Sequence, residues 1–247
     1  MALYTTLKRK FRNYFIRKKR EIEPAIAYNL WASTYDEQTN NLIVYLDEIV
    51  FNTILDNINL QAKTIVDIGC GTGKHWEKIL SQKPSSLIGY DVSSKMLEKL
   101  HSKYPEAKTH LLQGNKLKEL KDTSCDVIVS TLVVGYIEDL SNAFAEWNRV
   151  LKKTGEIIIT DFHPDALLKG DTRSFTYKGQ LIFIRNFIHS LNKIKVLANE
   201  MGWKEVFYIE KKVDESIKHF YANQNALTIY QKNYKSPLLY GWHFRKA

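Results

Sequence analysis

Apolar residues in this chain alternate between short unbroken runs and longer stretches in which they recur every three or four positions. The runs at Thr64–Ile68, 86–90, 107–112, Cys125–Thr131, 156–162, 203–213 and 237–245 predict strands. The stretches at 41–60, 73–80, Ser94–Lys103, 141–152 and 191–201 carry helical spacing, as in Leu42, Tyr45, Leu46, Ile49, Val50 and Ile54. Gly155 reads as the breaker after 141–152. Residues 214–234 read as mainly helical, and 163–190 as one long irregular connection holding Gly170 and Gly179. Strands that are apolar throughout and alternate with helices predict a parallel sheet covered on both faces. Right-handed crossovers wind such a sheet in two directions, and its ligands sit beyond the carboxyl ends of the strands. The expected fold is therefore α/β, a Rossmann-like doubly wound, mostly parallel seven-stranded sheet with an N-terminal helical arm.

The arm emerges from the charge distribution. The chain of 247 residues has a formal net charge of +9, yet residues 1–20 hold eight Lys and Arg and no acid. The remaining 28 basic and 27 acidic residues nearly cancel. The high charge thus describes an arm, residues 1–24, rather than the domain over 25–247, and nucleic acid is disfavoured as a partner. Within the arm Leu3, Leu7, Phe11 and Phe15 recur every fourth residue. As a helix it is amphipathic and suits peripheral contact with an anionic membrane through residues 1–20; a helix packed on the body is the competing reading. Hydrophobic residues make up 44% of the chain, enough for a substantial core. Cys70 and Cys125 lie far apart with no metal-ligand spacing, which points to a reducing compartment, a cytoplasmic location and no metal site.

Candidate chemistry starts at Val66-Asp67-Ile68-Gly69-Cys70-Gly71-Thr72-Gly73-Lys74, where a strand ends in glycines. Glycine lets the backbone turn sharply and approach a ligand. Asp91 follows the next strand, placed to accept hydrogen bonds from both hydroxyls of a ribose. A dinucleotide favours G-x-G-x-x-G, whose third glycine position is Lys74 here. Asp67, two residues before the first glycine, would repel a pyrophosphate but suits a ligand with an ammonium or a sulfonium. The residues therefore favour S-adenosylmethionine over NAD.

The strings VDIGCGTGKH, YDVSSKML, LLQGNKLKEL and CDVIVSTLVVGYIEDL resemble the successive motifs of class I S-adenosylmethionine-dependent methyltransferases. NLWASTYDEQ is similar to the W-A-x-x-Y-D entry of small-molecule members of the ubiquinone and menaquinone biosynthesis type. The resemblance implies an enzyme that passes a methyl group from S-adenosylmethionine to a small or lipophilic acceptor and releases S-adenosylhomocysteine. It implies that Gly69, Cys70, Gly71 and Gly73 line the methionine portion, with Asp67 organising the amino group. Asp91 and Val92 then flank ribose and adenine, Met96 covers the adenine, and Gly114 and Asn115 reach its edge. Thr131 and Leu132 lie near the methyl donor, and Tyr35 covers the cofactor. Relatives often carry Asp at position 115 and a bulkier residue at 135, so Gly135 is expected to widen the substrate chamber.

Methyl transfer needs alignment and exclusion of water more than a catalytic triad. His163, in Thr160-Asp161-Phe162-His163-Pro164, and the downstream His189 are the candidate bases on the acceptor side. Whether oxygen, nitrogen or carbon is methylated, and the oligomeric state, stay open. Two other functions remain: a non-catalytic S-adenosylmethionine-binding protein, and an RNA methyltransferase steered by the arm. Thr131-Leu132-Val133-Val134 stands where amino-nitrogen methylases of nucleobases carry N-P-P-Y/F, which disfavours the latter.

Overall fold

The computed structural model describes residues 21–38 and 41–247. The amphipathic arm of residues 1–20 lies outside them. In chain order the elements are β1 (Glu21–Ile22), α1 (Pro24–Trp31), α2 (Leu42–Leu55), β2 (Thr64–Ile68), α3 (Trp76–Ser81), β3 (Ser86–Asp91), α4 (Ser94–Lys103), β4 (Lys108–Leu111), β5 (Cys125–Thr131), α5 (Leu140–Val150) and β6 (Leu151–Phe162). Then follow α6 (Pro164–Leu168), β7 (Ser174–Tyr177), β8 (Gln180–Ile184), α7 (Leu191–Glu200), β9 (Trp203–Lys212), α8 (Lys218–Asn223), α9 (Leu227–Asn233) and β10 (Pro237–Lys246).

Seven strands form the main sheet in the order β4-β3-β2-β5-β6-β10-β9. The first five are parallel, and β10 runs antiparallel to both β6 and β9. The order reverses between β2 and β5, so the crevice outside their carboxyl ends is the expected ligand site. Alternation along the strands builds a core on each face. Ile65, Val127, Val129 and Ile158 pack with Val50, Phe51 and Trp76 on one side. Val66, Ile128, Ile157 and Ile159 pack with Phe144, Trp147 and Ile194 on the other. The doubly wound, mostly parallel sheet expected from the sequence is the one observed.

Two local expectations change. The helix expected at 73–80 begins at Trp76, because Gly73 sits at φ 77°, outside right-handed helical space. The connection 163–190 is not irregular throughout. It holds α6 and the hairpin β7–β8, and β8 pairs in parallel with β1 in a three-stranded sheet of order β1-β8-β7. This small sheet and α1 enclose a third core of Ala27, Trp31, Met96, Phe175 and Ile184, which roofs the crevice.

Candidate active site

The turn after β2 is shaped by its glycines. Gly69 lies at φ 77°, and a Cβ there would stand 2.0 Å from Val133 Cγ2. The amides of Gly69 and Cys70 both donate to the Tyr90 carbonyl, at 2.7 and 3.0 Å, which ties the turn to β3. Asp91, the last residue of β3, accepts from Gly71 N and Ser93 N, each at 2.8 Å. Burial pushes its carboxyl up to about 6, against those hydrogen bonds, which favour the ionised form. Asp67 accepts from Trp76 Nε1 at 2.8 Å, and burial pushes it up to about 6 as well.

A cavity of about 450 Å³ opens over this turn. Its wall includes Gly69, Asp91, Val92, Asn115, Thr131 and Leu132. A Cβ on Gly114, at φ 71°, would meet nothing within 4 Å, so the rim is open there. Gly69 and Thr131 also border a small void of about 40 Å³ walled by Asp67, Cys70, Gly71, Lys74, His75 and Asp47. There His75 Nε2 lies 2.9 Å from Asp47 Oδ2, while Lys74 Nζ donates to the Val44 carbonyl. On the other side a second chamber of about 390 Å³ shares Tyr28, Tyr35, Leu132 and Tyr136 with the first. Leu132 holds φ 59°, an uncommon conformation for a non-glycine residue, and donates from its amide to Thr160 O at 2.8 Å.

The structure thus gathers Tyr35, Gly69, Asp91, Val92, Gly114, Asn115, Thr131 and Leu132 around one cavity, and Asp67, Cys70 and Gly71 around its small extension. Gly73 and Met96 line none of these spaces. Gly73 lies against Leu100, Tyr104 and Trp76, and Met96 is buried in the roof core.

The two histidines are likewise placed elsewhere. His163 caps α6, with Nδ1 accepting from Asp165 N at 3.2 Å and Nε2 3.4 Å from Glu210 Oε1. His189 Nε2 is bonded to the Ile137 carbonyl at 2.7 Å, and burial lowers its pKa. Neither lines the large cavities, so the geometry gives neither a base's position.

Gly135 does not widen a chamber. A Cβ there would lie 2.3 Å from Arg173 Nη2, so the space is filled by a guanidinium. Sequence reasoning missed this Arg173. It forms a buried ion pair with Asp161, both side chains 2% exposed. Asp161 also accepts from Gly135 N at 2.7 Å. Tyr136 was missed as a wall residue, whereas Tyr28, beside the aromatic W-A-x-x-Y-D stretch, was a candidate to cover the cofactor or to pack in the core.

The residues fit S-adenosylmethionine. A pinned carboxylate at the end of β3 suits a ribose diol, a glycine turn admits a close backbone approach, and acidic Asp67 borders the void beyond. Fold and site define a class I S-adenosylmethionine-dependent methyltransferase. Residues 66–159 match the family described as methyltransferase domain. Over 200 residues, 75% of this chain, the sequence is 30% identical to a biotin biosynthesis bifunctional protein BioHC of Saccharophagus degradans, covering 34% of that protein. Over 149 residues, 60% of this chain, it is 25% identical to a malonyl-[acyl-carrier protein] O-methyltransferase of Hamiltonella defensa, covering 55% of it. The chain therefore spans about half or less of these curated relatives. The structure of an S-adenosylmethionine-dependent methyltransferase from Mesorhizobium loti superposes with a TM-score of 0.60 at 18% identity, over 76% of this chain and 93% of that one. Residues 66–159 thus match a methyltransferase domain, on a fold shared with S-adenosylmethionine-dependent methyltransferases.

Proposed function

We propose that this protein transfers a methyl group from S-adenosylmethionine to a small, largely apolar acceptor seated in the second chamber. The observation that carries this is the meeting of the two cavities at Tyr28, Tyr35, Leu132 and Tyr136. When bound, the cofactor supplies a methyl on a sulfonium, which an acceptor atom attacks in line while the carbon–sulfur electron pair stays on sulfur.

The chain's own residues do the rest. Asp91 and the glycine turn hold the nucleoside, Thr131 borders the cofactor cavity, and Leu132 occupies the passage between the spaces. Tyr28, Tyr35 and Trp31 roof it, with Trp31 stacked on Phe175 at 4.6 Å between ring centres. Such a roof excludes water and fixes the approach, which is most of what this reaction asks of a protein. A base is required only where the attacking atom must lose a proton.

A chamber beside the donor position supports catalysis over a non-catalytic cofactor-binding role. Its aromatic lining suits a compact apolar molecule better than a charged polymer. The Hamiltonella relative named for O-methylation adds support for an oxygen nucleophile. The test is incubation with S-adenosylmethionine labelled in its methyl group, together with lipid and aqueous extracts. Label appearing in one small product, with an equal amount of S-adenosylhomocysteine, is expected. Cofactor bound but never converted in the presence of any fraction would contradict it.

A further inference from the structure

The wall between the two cavities contains two phenol hydroxyls in contact. Tyr28 Oη and Tyr136 Oη lie 2.9 Å apart, and both residues line both spaces. Their mutual hydrogen bond uses one proton. The pair therefore keeps one hydroxyl proton to donate and free lone pairs to accept with.

Both tyrosines are held firmly. The Arg173 guanidinium lies over the rings of Tyr136 and Phe162, at 4.7 and 4.5 Å from their centres. It is paired with Asp161 and donates to the Leu132 carbonyl at 3.4 Å. Asp161 in turn holds the Gly135 amide, so the whole turn 132–136 is clamped. Tyr28 stacks on Trp31 at 5.7 Å and meets Tyr136 edge-on at the same separation.

Charge narrows the kind of molecule this device can grip. Among the described residues, Arg173 and Asp171 are the charged side chains lining the second chamber. The charge of Arg173 is matched by Asp161, so Asp171 leaves the walls with negative character that opposes an anionic acceptor. A cationic acceptor is opposed by the donor's own sulfonium. An uncharged molecule escapes both penalties.

Resting on the proposed function, we propose that the Tyr28–Tyr136 hydroxyl pair binds and orients the acceptor in the second chamber, and that this acceptor is an uncharged compound presenting a hydroxyl group. The pair both donates to and accepts from such a group, which places its oxygen at the passage to the cofactor cavity.

Three probes of one outline separate the possibilities: p-cresol, 4-methylbenzoate and 4-methylbenzylamine. Each is added to the protein saturated with S-adenosylhomocysteine, and binding is followed by ligand-observed NMR. Tightest binding of p-cresol is expected. Tyr28→Phe and Tyr136→Phe, prepared separately so that a folding defect in one leaves the other readable, each weaken it about fivefold to tenfold. Affinity for S-adenosylhomocysteine, measured by calorimetry, stays within about twofold. Preference for the benzoate or the amine would overturn the proposal, as would p-cresol binding that is absent or unchanged in both variants. Failure of the wild-type protein to bind S-adenosylhomocysteine is a separate readout and would overturn the proposed function itself.

Discussion

Asp67 and Asp91 are the acids that the sequence singled out beside the glycine turn, and the structure adds a pH dependence to them. Both carboxyls titrate at about 6 in the folded chain, against an ordinary 3.8, because burial penalises the charge. Raised carboxyls bind more protons folded than unfolded. Their stabilising contribution is complete below 3.8 and is lost as pH rises through about 6. Ligand binding runs the other way in the proposed site, where the ionised forms would accept from a ribose and face an ammonium. Affinity for S-adenosylhomocysteine is therefore expected to fall between pH 7 and pH 5 by about tenfold for each carboxyl engaged, about a hundredfold for both, in calorimetric titrations. Asp91→Asn should weaken binding at pH 7 by ~1.5–3 kcal/mol and flatten part of this dependence. An unchanged affinity in that variant would place the ribose elsewhere. These acids were legible because strand, glycine turn and carboxylate follow one another at fixed short spacing. His163 and His189 were misleading for the converse reason: their positions along the chain are right, but a helix cap and a carbonyl bond turn the rings away.

At the scale of elements, the connection after β6 separates what a sequence pattern can convey from what it cannot. The hairpin β7–β8 turns on Lys178 and Gly179, both at positive φ, 49° and 76°. Lysine in such a position is an uncommon turn signal, where Asn-Gly would have announced a hairpin. The two-residue β1 gains its meaning only from pairing with β8, about 160 residues onward, which no local periodicity records. The same connection delivers Arg173 to Asp161, a partner twelve residues away whose burial is set by the tertiary fold. Gly135→Ala tests this packing, because the added carbon meets the guanidinium at 2.3 Å. A loss of ~1–3 kcal/mol in denaturant unfolding is expected. Arg173→Met, which strands the Asp161 carboxylate, should cost more, ~3–5 kcal/mol. Wild-type stability in both would mean that the turn 132–136 does not depend on the clamp.

For the molecule as a whole, the parallel order and the crevice at its reversal were readable because buried strands are apolar throughout and helices intervene at regular length. The roof over the crevice was not, since it unites α1 with β7 and β8, which lie far apart along the chain. No helix among the described residues is long and apolar enough to cross a membrane. The basic segment 1–20 is proposed to hold the enzyme reversibly on anionic membranes, each engaged cation contributing about 1 kcal/mol. Flotation with anionic liposomes should recover the full chain at low salt and lose it as salt rises. Equal recovery of a chain starting at Glu21 would remove the arm from any such role.

The central claim, that the crevice at the ends of β2, β3 and β5 is an S-adenosylmethionine site, is tested most directly by calorimetric titration of the purified protein at pH 7 with S-adenosylhomocysteine and, in parallel, with NAD. Saturable one-to-one binding of the adenosyl ligand, weakened in Asp91→Asn, with no heat from NAD, is the expected result; binding of NAD with no response to S-adenosylhomocysteine would contradict the assignment.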